Sequence, residues 1–287
     1  MRSDGDHWGI TESVGATALG VAAARATETR RPDGLVRDPY AEEFVLAARP
    51  QMQMSFGRCF DDPSGASSTY IGVRSRFFDQ FCAESSPDTT QTVILAAGLD
   101  TRALRLAWPS GSTVFEIDQT AVLAFKDQVL AGRTGGGAGR VLVPVDLRED
   151  WAGALLTAGF DPARPSSWLV EGLLPYLPAS AEADLFDRID TLSHPGSRIA
   201  VEQVDTALLV ERSEELSALL GIDIAELMYI EHREDPAGRL RRRGWAVSWT
   251  TATDFAKANK RDLDEARFGG IARFVRATKP APPRTNA

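Results

Sequence analysis

Cysteine, histidine and lysine are scarce in this sequence: of 287 residues, two are cysteine, three histidine and four lysine. With only Cys59 and Cys82 available, a disulfide framework cannot organise the chain, and so few thiols suit a reduced, cytoplasmic protein in which both are inert. His7, His194 and His232 are far apart, and none falls in a metal-ligand spacing such as H-E-x-x-H, so no metal is expected. Long apolar runs are missing too. The longest near the start, Ala16 to Ala24, has nine residues and is closed by Arg25, well short of the roughly 20 that span a bilayer. The opening residues, Met1 to Asp6, are acidic and polar where a signal peptide would be basic and then apolar. Nor is there a basic face. Arginine supplies 28 of the 32 basic residues, but they are scattered among 40 acids for a net charge of −8, which argues against a nucleic-acid partner.

What is present is ordinary globular composition, 43% hydrophobic and 25% charged, on a chain long enough for one large α/β domain. From about residue 92, short β-rich runs alternate with helical patterns. Thr92 to Ala97, Ser112 to Asp118, Arg140 to Asp146, Trp168 to Gly172 and Arg198 to Val204 read as strands. Thr101 to Ala107, Ala121 to Leu130, Trp151 to Ala158 and Ala181 to Leu192 read as the helices between them. That order predicts a doubly wound parallel sheet. An acidic, helix-prone insert follows from about Ala207 to Glu234, and then two late strands, Trp245 to Thr250 and Ile271 to Ala277, around a helical segment containing Asp254 to Lys260. The first ninety residues lack the strand rhythm and offer helices at Ser13 to Arg25, Tyr40 to Ala48 and Ile71 to Ala83. The expected organisation is a single domain over 1–287: a helical cover (1–90), a binding core (91–204), the insert (205–238), terminal strands (239–279) and a proline-rich disordered tail (280–287).

Ligands of open α/β sheets bind at the carboxyl ends of the strands, where the winding reverses. Those ends carry Gly98, Asp118, Asp146 and Glu171, one glycine turn and three acids, each following an apolar run. One acid in such a place is a common helix cap; three in succession are harder to dismiss. Gly98 and Asp118 stand 20 residues apart, the spacing at which a glycine turn approaches a nucleoside and the next strand's carboxylate takes the ribose hydroxyls. The dinucleotide fingerprint G-x-G-x-x-G fails, because the positions flanking Gly98 in that pattern are Ala96 and Thr101. Asp100 at the helix start would repel a pyrophosphate, and it reads equally well as a plain cap. Gly135-Gly136-Gly137 has no following Gly-Lys-Ser/Thr and reads as a loop. Arg239, Arg241, Arg242 and Arg243 read as a solvated helix end, with an anchor for an anionic acceptor as the alternative.

Seven runs, in order from about residue 11 to residue 204, carry a more specific likeness. They are Ser13 to Ala18, Asp38-Pro39-Tyr40-Ala41, Arg74 to Asp79, Val93 to Arg102, Phe115-Glu116-Ile117-Asp118, Val145-Asp146-Leu147-Arg148 and Glu171 to Leu177. In these the chain resembles the leucine carboxyl methyltransferase-like family, in particular its actinobacterial branch of S-adenosylmethionine-dependent methyltransferases. The resemblance implies a Rossmann-like class I methyltransferase sheet and S-adenosylmethionine as cofactor. It implies that Arg74 binds the methionine carboxylate, Gly98 underlies the cofactor, Asp118 holds the ribose diol, Asp146 and Leu147 read adenine, and Glu171 lies near the methionine amino group. The family's first turn glycine is Ala96 here. Arg25 matches either a cofactor-contacting basic residue or a helix surface. Tyr176, just past the fourth strand, is the one catalytic candidate and reads equally as a packing residue.

Methyl transfer from a sulfonium is an in-line displacement, so the protein mainly aligns the partners and excludes water. An acceptor carboxylate ionised at pH 7 needs no dedicated base, which suits the lack of an acid–base constellation. The expected function is therefore O-methylation of a carboxylate on a small or lipid-like metabolite. A protein C-terminal carboxyl methyltransferase is the alternative, and a nucleotide-dependent oxidoreductase or a hydrolase a more distant one, weakened by the missing G-x-G-x-x-G and G-x-S-x-G motifs. Oligomeric state is left open.

Overall fold

The computed structural model describes residues 13–51, 65–212, 228–229 and 231–281. His7, Cys59, residues 213–227 of the expected insert and residues 282–287 of the tail lie outside them.

Seven strands form one sheet: β1 (Gln91–Leu95), β2 (Thr113–Asp118), β3 (Gly139–Pro144), β4 (Ser166–Val170), β5 (Arg198–Val204), β6 (Ala246–Thr251) and β7 (Ala272–Thr278). Their order is β3-β2-β1-β4-β5-β7-β6. The first five pair in parallel, and β7 is antiparallel to both neighbours. Winding reverses at β1, which pairs with β2 on one side and β4 on the other, with Val93 opposite both Phe115 and Trp168. The doubly wound sheet expected from the strand rhythm is the one observed.

The central strands are buried on both faces, as parallel strands under crossover helices must be. Successive side chains alternate between two cores. Ile94, Leu169, Ala200 and Phe274 pack with Phe77 and Phe78 of α3 (Ala66–Ser85). Val93, Leu95, Trp168, Val170 and Val201 pack with residues of α6 (Trp151–Thr157) and α7 (Ala179–Leu192), among them Trp151, Leu155 and Phe186. Each valine, leucine, isoleucine or phenylalanine among them contributes about 1.5–3 kcal/mol by leaving water. A third cluster joins α1 (Ser13–Arg30), α2 (Ala41–Ala48) and α5 (Thr120–Val129) through Leu19, Ala22, Phe44 and Val122. The small residues of α1 let it lie close against α3: a Cβ added to Gly72 of α3 would stand 2.7 Å from the Glu28 carboxyl carbon.

Several elements differ from their expected extents. α3 begins five residues before Ile71 and α1 runs on to Arg30, because their serines, alanines and arginines are compatible with helix although they carry no clear apolar stripe. The helix expected over Thr101 to Ala107 is a single turn, α4 (Arg102–Arg105). Leu106 is already extended there, and the Trp108 indole N–H donates to the Arg102 carbonyl at 2.8 Å, which closes the turn ahead of Pro109. Of the insert, α8 (Thr206–Glu211) is described, capped by the Asp205 carboxylate. α9 (Pro236–Arg242), α10 (Ala252–Ala258) and α11 (Glu265–Phe268) complete the chain. No described helix is long and apolar enough to cross a membrane.

Candidate active site

The carboxyl ends of β1 to β5 open into a cavity of about 610 Å³, roofed by α1 and α3. Arg74, Gly98, Asp118, Asp146, Leu147, Glu171 and Tyr176 all line it, and so does Arg25. Residues up to 151 positions apart in the chain, from Arg25 to Tyr176, thus meet at one place, because each follows or ends a strand of the same sheet or lies on one of the helices packed above it.

The turn after β1 is built for close approach. Ala96 (φ +51°) and Gly98 (φ +46°) both adopt left-handed backbone, the region that favours glycine, and only the second position has one. Ala97 N–H donates to Ile117 O at 2.9 Å, tying the turn to β2. Asp118, the last residue of β2, accepts Gly98 N–H at 2.6 Å and Gln119 N–H at 2.7 Å, one on each carboxylate oxygen. Burial pushes the Asp118 carboxyl above its usual range, and these two N–H donors oppose the rise without cancelling it. Two residues past β3, Asp146 accepts Arg148 Nε at 3.0 Å and Nη2 at 2.7 Å, the Arg148 N–H at 2.8 Å and Gln119 Nε2 at 3.0 Å. Burial raises Asp146 as well, but here the Arg148 contacts outweigh it and leave the carboxyl below its ordinary range.

Between β1, β4 and α3 lies a buried ionic network. Arg74 Nε donates to Glu171 Oε1 at 2.9 Å, and its Nη1 stands 3.3 Å from Glu202 Oε2. Arg102 reaches Glu171 at 2.8 Å, Asp79 at 2.8 Å, and Asp100, while Arg105 pairs with Asp79 at 2.6 Å. Glu202 further accepts Tyr70 O–H at 2.6 Å and Gly172 N–H at 2.7 Å. The Gly172 backbone is left-handed (φ +61°), and a Cβ there would sit 3.5 Å from Arg74 Nη1. Burial opposes the charge on Asp100, but Arg102 holds its carboxyl down at about 2. Asp100 also accepts Arg102 N–H at 2.7 Å and pairs with the same residue's guanidinium, although the residue in the N-cap position of α4 is Thr101 and not Asp100.

Arg25 is buried, with Nε on Asp38 at 2.9 Å and Nη2 on Leu99 O at 2.6 Å, so it braces the β1 turn from α1. The arginine run lies elsewhere: Arg239 and Arg242 pair with Glu234, Arg243 with Asp187 and Asp190, and none of the four lines the cavity. His194 is in an exposed loop, with Nδ1 on its neighbour Pro195 O. Among the described residues no group of three His, Cys, Asp or Glu side chains could hold a metal ion.

Toward β5 the lining turns apolar: Ile71, Leu173, Leu209, Met228, Phe268 and Ile271, with Tyr70 stacked on Phe268 at 4.9 Å between ring centroids. Sequence reasoning singled out none of these, nor the Glu202 and Arg102 of the network. A charged residue inside the apolar run Arg198–Val204 was the available signal for Glu202. Arg102 stood in the turn motif without an assigned role.

Residues 18–190 match the family model described as leucine carboxyl methyltransferase. The chain is 48% identical over 279 residues to a Rhodococcus jostii protein provisionally named an S-adenosyl-L-methionine-dependent methyltransferase, covering 92% of this chain and 94% of that one. A Saccharopolyspora erythraea protein with the same provisional name is 47% identical over 288 residues, covering 96% and 99%. Among solved structures, a protein from Thermobifida fusca provisionally described as a methyltransferase superposes with a TM-score of 0.56, at 14% identity over 92% of this chain and 94% of that one. This last likeness concerns the fold alone.

Proposed function

The chain belongs to the leucine carboxyl methyltransferase family and is an S-adenosylmethionine-dependent methyltransferase, and on that premise we propose that it methylates a carboxylate oxygen of a small, apolar, lipid-like acceptor. One observation carries the reading: the acids at three successive strand ends and Arg74 share a cavity whose other half is apolar.

The donor set fits the cofactor. A carboxylate offers about four acceptor positions; Gly98 and Gln119 take one on each oxygen of Asp118, leaving one on each for the two ribose hydroxyls. Asp146 accepts the adenine amine in exchange for an Arg148 contact, and Leu147 contributes its backbone N–H. Arg74 holds the methionine carboxylate, and Glu171 holds the ammonium group. S-adenosylmethionine supplies the methyl group and a thioether leaving group. The chain's own residues align the acceptor with that methyl and keep water away, and an acceptor already ionised needs no base. Tyr70, Ile71 and Phe268 form the wall against which the acceptor's apolar body rests, and Tyr176 borders the same space.

Calorimetry with S-adenosylmethionine on Asp118→Ala tests the cofactor half: affinity falls about a hundredfold, the scale of two hydrogen bonds to a charged group, and an unchanged affinity overturns the assignment. Incubating a cell lysate with methyl-tritiated cofactor tests the acceptor. Label in the lipid-extractable small-molecule fraction, released as methanol by mild alkali, supports a methyl ester of an apolar acid. Label confined to protein, or stable to alkali, overturns that choice.

A further inference from the structure

The ionic network under the cavity does not balance. It joins three arginines, Arg74, Arg102 and Arg105, to four carboxylates, those of Asp79, Asp100, Glu171 and Glu202. If all seven groups are ionised, one negative charge is left over, and it is buried. A buried charge without a counter-ion is strongly unfavourable in general, so such a site favours a ligand that brings a positive charge.

The surplus falls on Glu202. Its nearest cation, Arg74, stands at 3.3 and 3.5 Å and lies closer to Glu171, at 2.9 Å. The other partners of Glu202, Tyr70 O–H and Gly172 N–H, are neutral. Both oxygens receive donors: Oε1 takes the Tyr70 O–H and Oε2 the Gly172 N–H, and Arg74 Nη1 reaches both. It is 2% exposed and lines the cavity beside the residues proposed to hold the methionine end of the cofactor. S-adenosylmethionine carries a carboxylate, an ammonium and a sulfonium, a net charge of plus one, and S-adenosylhomocysteine, with a neutral thioether, carries none.

We propose that Glu202 is a specificity-determining residue whose unmatched charge makes the site prefer the sulfonium cofactor over its thioether product. The proposal rests on the cofactor reading above. It gives the site a means of releasing product: the methyl leaves the sulfur for the acceptor carboxylate, the sulfonium becomes a neutral thioether and the carboxylate a neutral ester, and once the ester departs the thioether product carries no net charge to balance the network.

Calorimetric titration of the whole protein with S-adenosylmethionine, S-adenosylhomocysteine and sinefungin, which places an ammonium where the sulfonium stands, tests it directly. The wild type binds S-adenosylmethionine and sinefungin about tenfold or more tighter than S-adenosylhomocysteine, the scale of one partly screened charge pair. Glu202→Gln brings the three affinities together, chiefly by weakening the two cationic ligands, and Glu202→Asp keeps the preference. Tyr70→Phe, which removes a hydrogen bond to Glu202 but not its charge, leaves the preference in place. A wild type that binds the product as tightly as the cofactor overturns the proposal even if no variant folds. So does a Glu202→Gln protein that loses affinity for all three ligands alike, the result a purely structural role would give. If neither S-adenosylmethionine nor S-adenosylhomocysteine binds the wild type, the cofactor reading itself falls and this proposal with it.

Discussion

At the β1–β3 end of the cavity, Gly98, Asp118, Asp146 and Leu147 each lie within three residues of the end of a strand, and their polar groups meet backbone N–H donors or near neighbours in sequence. At the β4–β5 end, Tyr70 and Ile71 come from α3, Leu209 from α8, and Phe268 and Ile271 from the approach to β7. One end is a set of local devices repeated along a sheet; the other is a surface assembled from segments some 200 residues apart. The first constrains a ligand by hydrogen bonds at fixed places, the second by shape and exclusion of water. The buried network is where the two ends join, since Glu202 touches Tyr70 on one side and Arg74 on the other.

That join is the place to break the division most severely. Arg74→Met leaves Glu171 and Glu202 without their shared cation, and the loss of one partner from a buried pair costs about 3–5 kcal/mol of stability. Thermal and chemical denaturation should show it, and a variant as stable as the wild type would mean that the network carries no such load. A change confined to the apolar wall should separate the ends. Ile71→Phe narrows the acceptor space and raises the acceptor KM about tenfold, while calorimetric affinity for S-adenosylmethionine stays as it was; parallel losses of both would show that the ends are not independent.

Acid should act on the cofactor end alone. In the role proposed for it, Asp118 must be ionised to accept the ribose hydroxyls, and burial favours its protonated form in the free protein, with Lys126 and Asp146 as the charged groups nearest in effect. As the pH falls, cofactor affinity is therefore lost through Asp118 at a higher pH than for an ordinary aspartate of pKa about 3.9, whereas Asp146, held low by Arg148, ionises throughout that window. Affinity measured between pH 7 and pH 4 should show this acid limb, and Asp118→Asn should flatten it. The smallest effect belongs to the turn. Ala96→Gly relieves a left-handed alanine and stabilises the fold by about 0.5–1 kcal/mol, less whatever the freer unfolded chain takes back. A fall in denaturation midpoint would show that the Ala96 methyl packs better than the strain costs.

The five parallel strands were legible because a parallel strand covered by helices leaves a short, dense apolar run; the antiparallel β6 and β7 lack that cover but still stand out as β-rich runs, and all seven appear within two residues of their expected positions. The strand-end acids were legible for the same reason, since each stands where such a run stops. α4 was overextended because nothing in Thr101 to Ala107 announces that the Trp108 indole takes the Arg102 carbonyl. Glu202 stood unremarked inside the strand Arg198 to Val204. Its burial becomes visible only when α3 is laid over β5.

The sequence by itself determined the order of the sheet's elements, the turn at Gly98 and the acids at Asp118, Asp146 and Glu171, because periodicity and strand ends are properties of neighbouring residues. The tertiary structure alone decided which charges are buried together, that Arg74, Arg102 and Arg105 face one carboxylate too many, and which side chains wall the apolar space. Those are sums over residues far apart in the chain, and Coulomb energy and burial depend on distance in space.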